Sequence, residues 1–129
     1  MNNSVLPESS DIYLECNGKK VAVVQSYHTL AKKTERTVEA FGEREPVATI
    51  VGQPSYIIEL TRLYVTDDAV SDGIRFHDLT DFSLVIVKPG HRVVYTDCNW
   101  SQISEDGDVG DLVAEKIVLH AAHRVETTA

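Results

Sequence analysis

Apolar and polar residues alternate over several short stretches of the chain, which is the pattern of β-strands with one buried face. The first stretch covers residues 11–16 and is followed by Asn17-Gly18. This dipeptide favours a two-residue hairpin turn because both positions tolerate positive φ. Alternation resumes over residues 20–29. The pattern therefore predicts a β-hairpin over residues 11–29.

Three stretches in the middle of the chain also have strand character. Residues 56–65 alternate clearly, whereas residues 81–88 form a nearly continuous apolar run. Such a run is typical of a central strand buried on both faces. Pro89-Gly90 is a turn signal, and residues 91–98 return as the hairpin partner of the apolar run.

Two segments interrupt this pattern, and a third is ambiguous. Residues 66–80 are predicted to form a short helix, near 67–72, or an irregular loop. Residues 104–111 carry two glycines and four acidic residues, so we expect a solvated loop. Residues 112–126 fit both strand and helix spacing. The β-branched residues in that segment favour a strand.

A highly charged segment lies between two predicted strands. Eight of the 14 positions in residues 32–45 are charged, and Gly42 and Pro46 punctuate its end. Strand character returns at residues 47–51. The charged segment is too polar for a core, so it is either a mobile loop or an arm that becomes ordered against another surface.

Length and charge narrow the class of protein. The 129 residues fit a single domain, with residues 1–10 as a flexible tail. The net charge of −8 argues against binding to a nucleic-acid backbone or an anionic membrane surface. Residues 1–10 also lack the features of a signal peptide. A reducing compartment then makes buried, reduced thiols the expectation for Cys16 and Cys98.

No arrangement of side chains indicates catalysis. The five histidines are scattered, and the acidic clusters around residues 67–72 and 106–111 do not match a calcium loop. His120 and His123 would share a face only on a helix. Motifs for a nucleophile elbow, a phosphate loop or a zinc protease are missing from the sequence. We therefore predict that the protein is not an enzyme and holds no cofactor or metal.

The order of these features along the chain resembles that of phage tail tube proteins. The resemblance spans roughly residues 10–126. It is carried by the opening hairpin Ile12–Thr29, the charged arm ending in Val38-Glu39-Ala40-Phe41-Gly42, the strand Ser55–Val65, the segment Phe76–Phe82, the strand pair around Pro89-Gly90, the segment Tyr95–Trp100 and the long closing strand.

This resemblance implies a β-sandwich or closed β-barrel with one short flanking α-helix and an extended β-hairpin arm over residues 30–55. It also implies hexameric rings that stack into a hollow tube in the virion tail, assembled in the host cytoplasm. Other tail proteins (sheath or baseplate, tape measure) would be partners. DNA would pass through the lumen without specific binding, and an acidic lumen would repel it.

We expect the arm to supply the contacts between subunits, because an open strand edge invites pairing with another chain. The candidate contact residues are Val38, Ala40, Phe41, Gly42, Val47 and Ile50. One alternative within the same class is a ring-forming baseplate or tube-initiator protein. Alternatives from other classes are a monomeric β-barrel that binds a small ligand and an enzyme with a convergent site.

Overall fold

The computed structural model describes residues 12–39, 46–65, 73–107 and 112–128. These residues form antiparallel strands and a single 3-10 turn, with no α-helix in the described ranges. The helix predicted near residues 67–72 lies outside them. The elements are β1 (Tyr13–Cys16), β2 (Lys19–Lys20), β3 (Val24–Lys32), β4 (Glu35–Glu39), β5 (Pro46–Val51), β6 (Ser55–Val65), the 3-10 turn (Phe76–Asp78), β7 (Phe82–Lys88), β8 (His91–Gly107) and β9 (Leu112–Thr128).

Seven strands form one antiparallel sheet in the order β2-β1-β7-β8-β9-β6-β3. Residues 21–23 join its two outermost strands directly. The Val21 amide donates to the Leu14 carbonyl at 2.8 Å, and the Leu63 amide donates to the Val23 carbonyl at 3.0 Å. The connection is thus bonded to β1 on one side and to β6 on the other, so the sheet curls and brings its two ends close together without pairing β2 with β3.

The long β8–β9 ribbon divides between the two halves of the curled sheet. Residues 91–98 of β8 pair with β7, whereas residues 112–121 of β9 pair with β6. Asp97, at the boundary, has a φ of 54°. The ribbon therefore contributes to both halves of the curled sheet. The predicted mainly-β fold is confirmed.

The core lies on the concave face of this sheet. Strands from both ends of the strand order contribute to one buried cluster, as curling requires. Its strand residues include Leu14, Cys16, Ile58, Leu60, Phe82, Leu84, Ile86, Val93, Tyr95, Cys98, Ile117, Leu119 and Ala121. The two cysteines lie in it as thiols.

The first hairpin is shorter than the sequence predicted. The Asn17-Gly18 turn is present, with φ of 50° and 85°. However, its return strand is only β2, and β3 pairs with β6. Val23 has a φ of 51°, which breaks the extended run. The alternation over residues 20–29 therefore belongs to two strands that pair with different partners, and the predicted hairpin over 11–29 is wrong beyond β2.

Two further expectations need correction. In β7, Phe82, Leu84 and Ile86 are buried, but Val85 and Val87 are only half-buried because they face outwards. The strand is therefore central without being buried on both faces. Residues 104–107, predicted as part of a loop, belong to β8, where backbone pairing with β9 does not depend on apolar side chains. The strand predicted at residues 112–126 is confirmed as β9.

A separate hairpin lies within the segment predicted as an arm. β4 and β5 pair antiparallel in a two-stranded sheet of their own. At its base, the Gly52 amide donates to the Thr34 carbonyl at 2.6 Å. A Cβ at position 52 would lie 2.6 Å from Thr34 Oγ1, so this close approach requires glycine.

Candidate assembly surfaces

Several strand edges in the described part of the chain are left without a pairing strand, among them residues 122–128 of β9 and two edges considered next. β3 pairs with β6 on one side only. β8 pairs with β7 no further than Cys98, so residues 99–107 pair only with β9. We call residues 99–107 the open half of β8. Unpaired backbone donors and acceptors on such edges can accept a strand from another chain.

The two edges match in length and in direction. β3 has nine residues, and the open half of β8, from 99 to 107, also has nine. Both belong to the four-stranded section β8-β9-β6-β3, in which each neighbouring pair is antiparallel. The two outermost strands of this section therefore run in opposite directions. When copies are placed side by side by rotation, β3 of one copy meets the open half of β8 of the next copy in antiparallel orientation.

Apolar side chains are exposed at both edges. Leu30 of β3 has 45% of its surface exposed, and Trp100 in the open half of β8 has 38% exposed. Their surroundings differ, because Leu30 is in register with Ile57 on the convex face and Trp100 is in register with Leu119 on the core side. Apolar groups at a sheet edge are typical of surfaces that another protein covers.

The convex face of the four-stranded section carries balanced charge, beside the apolar Leu30 and Ile57. The strand register places two acidic and two basic residues there, together with two histidines. These residues are Glu59, Asp106, Lys32, Lys116, His28 and His120. Small polar side chains such as Ser26, Thr61 and Ser104 lie between them. Among the described residues, this face therefore carries no excess of negative charge.

A buried ion pair stabilises the opposite face of the same section. Arg62 Nε donates to Glu115 Oε1 at 2.7 Å, and Arg62 Nη2 donates to the Ile74 carbonyl at 2.8 Å. The guanidinium also lies 4.8 Å from the centroid of the Phe76 ring. This pair was not predicted from the sequence. The only signal in the sequence was that Arg62 and Glu115 each occupy a position where the alternating pattern of the strand otherwise places apolar, inward-facing residues.

The structure locates half of the candidate contact residues. Val38 lies in β4 opposite Ala48, and Val47 and Ile50 lie in β5. Ala40, Phe41 and Gly42 are outside the described residues. The backbone pairing of β4 with β5 thus places the stretch around Val38 beside the stretch that contains Val47 and Ile50. The role of these residues in subunit contacts remains a prediction.

The described side chains offer little for metal or small-ligand binding. The described ranges contain no group of three or more residues able to hold a metal ion. A pocket of about 120 Å³ is lined by Cys16, Asn17, Ile74 and Leu79, among others. This volume is below the roughly 300–1,000 Å³ of typical ligand sites. Within the described chain, no helix is long and apolar enough to cross a membrane.

Burial changes the chemistry of one thiol. Burial raises the pKa of the Cys98 thiol to about 12, although a hydrogen bond from the backbone of Leu84 partly opposes the effect. A thiol with this pKa is almost entirely protonated at neutral pH. Cys98 therefore acts as a small apolar core residue and not as a nucleophile.

Comparisons with known proteins identify the fold. No family model matches the chain, and no curated protein matches it. Among solved structures, a chain in the tail of an empty gene transfer agent particle, refined with C6 symmetry, matches with a TM-score of 0.63 and 12% identity, over 96% of this chain and 99% of that one.

Two further matches come from contractile injection systems. A chain of the PVC sheath/tube terminator in the extended state has a TM-score of 0.63 and 14% identity, covering 96% of this chain and 98% of that one. A chain of the anti-feeding prophage tube-terminating cap has a TM-score of 0.60 and 11% identity, covering 100% and 95%. The protein therefore shares its fold with chains of these tail and tube-terminator assemblies, which confirms the predicted resemblance to phage tail tube proteins at the level of the fold.

Proposed function

We propose that this chain is a structural subunit of a phage-type tail and that it assembles into hexameric rings that stack into a tube. The observation that carries the proposal is the pair of open edges, β3 and the open half of β8, which are equal in length and antiparallel in direction. The likeness to a tail refined with C6 symmetry supports six copies per ring.

Ring closure follows from the geometry of these edges. Because they are different surfaces on opposite sides of one section, each copy uses one edge for each neighbour. Head-to-tail contacts of this kind close into a ring when the rotation between copies is a whole fraction of a turn. Each contact would add a strand pairing and remove two exposed edges.

In such a ring, we place the convex face of the four-stranded section towards the lumen. Its described charged side chains are balanced, with Glu59 and Asp106 offset by Lys32 and Lys116. This placement modifies the expectation of an acidic lumen. Without a basic surface, DNA would release few counterions and gain little affinity, so it would pass without specific binding.

The arm would connect successive rings or neighbouring subunits. An isolated two-stranded hairpin is at best marginally stable in water, so the β4–β5 sheet benefits from a partner. Three of the candidate contact residues, Val38, Val47 and Ile50, lie in this hairpin. We place the assembly in the virion tail, together with sheath or baseplate and tape-measure proteins.

Light scattering after size-exclusion chromatography, combined with negative-stain electron microscopy, tests the proposal. Backbone amides of successive strand residues point to opposite sides, so one of Thr29 and Leu30 directs its amide to the open edge of β3 and the other directs it to β6. Proline is introduced at each of the two positions. We expect the variant that loses the open-edge amide to remain a folded monomer and to lose ring formation. His28→Ala, on the convex face of the same strand, should still form rings. A wild-type chain that stays monomeric at high concentration would contradict the proposal.

A second candidate is a tube-terminating or tube-initiating ring, because two of the matched structures are a tube terminator and a cap. A tube subunit polymerises into long tubes, whereas a terminator forms single rings that bind the end of an existing tube. The lengths of the particles in the same micrographs distinguish these two functions.

A further inference from the structure

Trp100 is an unusual residue for an exposed strand edge. It is the only tryptophan in the chain, and 38% of its surface is exposed. It lies in the open half of β8, where no strand of the described chain covers it. Tryptophan is among the residues most enriched at the energetic centres of protein interfaces.

The fold holds Trp100 in a defined position. His77 contacts it edge-on, with ring centroids 5.8 Å apart. His77 belongs to the 3-10 turn, whose Phe76 is completely buried and packs edge-on against Phe82 at 6.1 Å. The same turn is adjacent to Ile74, whose carbonyl accepts the hydrogen bond from buried Arg62. The 3-10 turn is thus held in place by the packing of Phe76 and by the hydrogen bond at Ile74. Its His77 contacts one side of the Trp100 indole.

Strand register indicates what would cover the other side. Trp100 lies in register with Leu119 of β9, which is in register with Ile58 of β6 and Thr29 of β3. This row faces the core. A strand that pairs with the open half of β8 would continue these core-facing rows, because paired residues share a face of the sheet.

We infer that Trp100, supported by His77, anchors the contact between neighbouring subunits and is covered there by β3 of a second copy. This inference rests on the proposed ring. The core-facing positions of β3 are Tyr27, Thr29 and Ala31, and Tyr27 is half-buried within its own subunit. An aromatic and a small side chain are well suited to pack against an indole. The second copy fits this site because its β3 has the length of the open half and the required antiparallel direction.

Fluorescence of the single tryptophan measures this burial directly. Assembly of the wild-type chain is followed by light scattering while Trp100 emission and its quenching by acrylamide are recorded. We expect the emission to shift to shorter wavelength and quenching to fall as scattering rises. Rings that form with unchanged emission and quenching would overturn the role of Trp100 and leave the proposed function standing. A chain that never assembles would contradict both.

Substitutions give a second, independent test. Trp100→Ala should raise the concentration needed for half-maximal assembly at least ~10-fold, in line with the cost of removing a central aromatic anchor. Trp100→Phe should retain most of the assembly. Val125→Ala is the control, because Val125 is 57% exposed but lies in residues 122–128 of β9, outside the four-stranded section that forms the proposed contact. Thermal melting establishes that each variant is folded. Equal assembly by Trp100→Ala and wild type would overturn the inference.

Discussion

Arg62 Nε donates to Glu115 Oε1 at 2.7 Å across the pair of strands β6 and β9, with the two side chains only 1% and 5% exposed. Burial of two charges is costly unless they are paired and hydrogen-bonded. Here the guanidinium also donates to the Ile74 carbonyl. The pair therefore connects the sheet to the segment that carries the 3-10 turn and, through His77, to Trp100.

The first prediction concerns this pair. Glu115→Leu removes the carboxylate partner of a buried guanidinium, so it should lower the free energy of unfolding by about 3–5 kcal/mol. Combining it with Arg62→Met should recover much of that loss, because both charges are then gone. Urea denaturation of the single and double variants measures the effect.

The exposed pair of Arg92 and Glu15, at 2.8 Å, is a matched control. Glu15→Leu should change the free energy of unfolding by no more than about 1 kcal/mol, because solvent screens this pair. Equal losses for Glu15→Leu and Glu115→Leu would show that burial does not determine the contribution of the ion pair.

The second prediction concerns the first turn. Gly18 has a φ of 85° and open space around the position of a Cβ. Gly18→Ala should therefore lower the free energy of unfolding by about 1–2 kcal/mol through backbone conformation alone. Gly18→Asn should cost less, because asparagine tolerates positive φ. An alanine variant as stable as wild type in denaturant titration would argue against this turn.

The third prediction concerns Cys98. Its pKa, raised from 9.0 to about 12 by burial, means that the folded state retains the proton when the unfolded state has lost it. This contribution to stability is complete below pH 9 and is lost as the pH rises from 9 towards 12. Stability measured over this range should fall less steeply for Cys98→Ala than for wild type. Parallel slopes would show that Cys98 does not cause the dependence.

The fourth prediction concerns the arm. Val38, Ala40 and Phe41 are the apolar residues of its charged segment, and burial of a phenylalanine contributes roughly 1.5–3 kcal/mol. We expect Phe41→Asp to melt close to the wild-type temperature but to abolish tube formation, because each contact around the ring would carry a buried charge. Thermal melting and electron microscopy are carried out on the same sample. If the variant is unfolded, Phe41 belongs to the core. If it forms normal tubes, the arm does not form the contact between subunits.

Most strands could be predicted because alternation reports directly on one buried face. The turns at Asn17-Gly18 and Pro89-Gly90 and the strand nature of β9 follow from local chemistry in the same way. The pairing of β3 with β6 could not be predicted, because it depends on a positive φ at Val23, a residue type that disfavours this conformation.

The candidate assembly surfaces were harder to predict from the sequence than the strands. The open half of β8 includes polar residues that were predicted as a solvated loop, and only its pairing with β9 shows that it is a strand. Trp100 could be noticed in the sequence, but its exposure depends on where β7 begins, because Phe82 is the first residue of β7 and pairs with Cys98. The charged segment could be recognised as lying outside the core, because eight of its 14 positions are charged; its role as an arm stays a prediction.

In the proposed ring, β3 of one copy pairs with the open half of β8 of the next. A cryo-electron microscopy map of the assembled protein, at a resolution that separates strands, tests this contact directly. We predict that residues 24–32 of one subunit pair antiparallel with residues 99–107 of its neighbour, with Trp100 covered in the contact. A map in which either edge faces solvent, or pairs with a different element, would contradict the account.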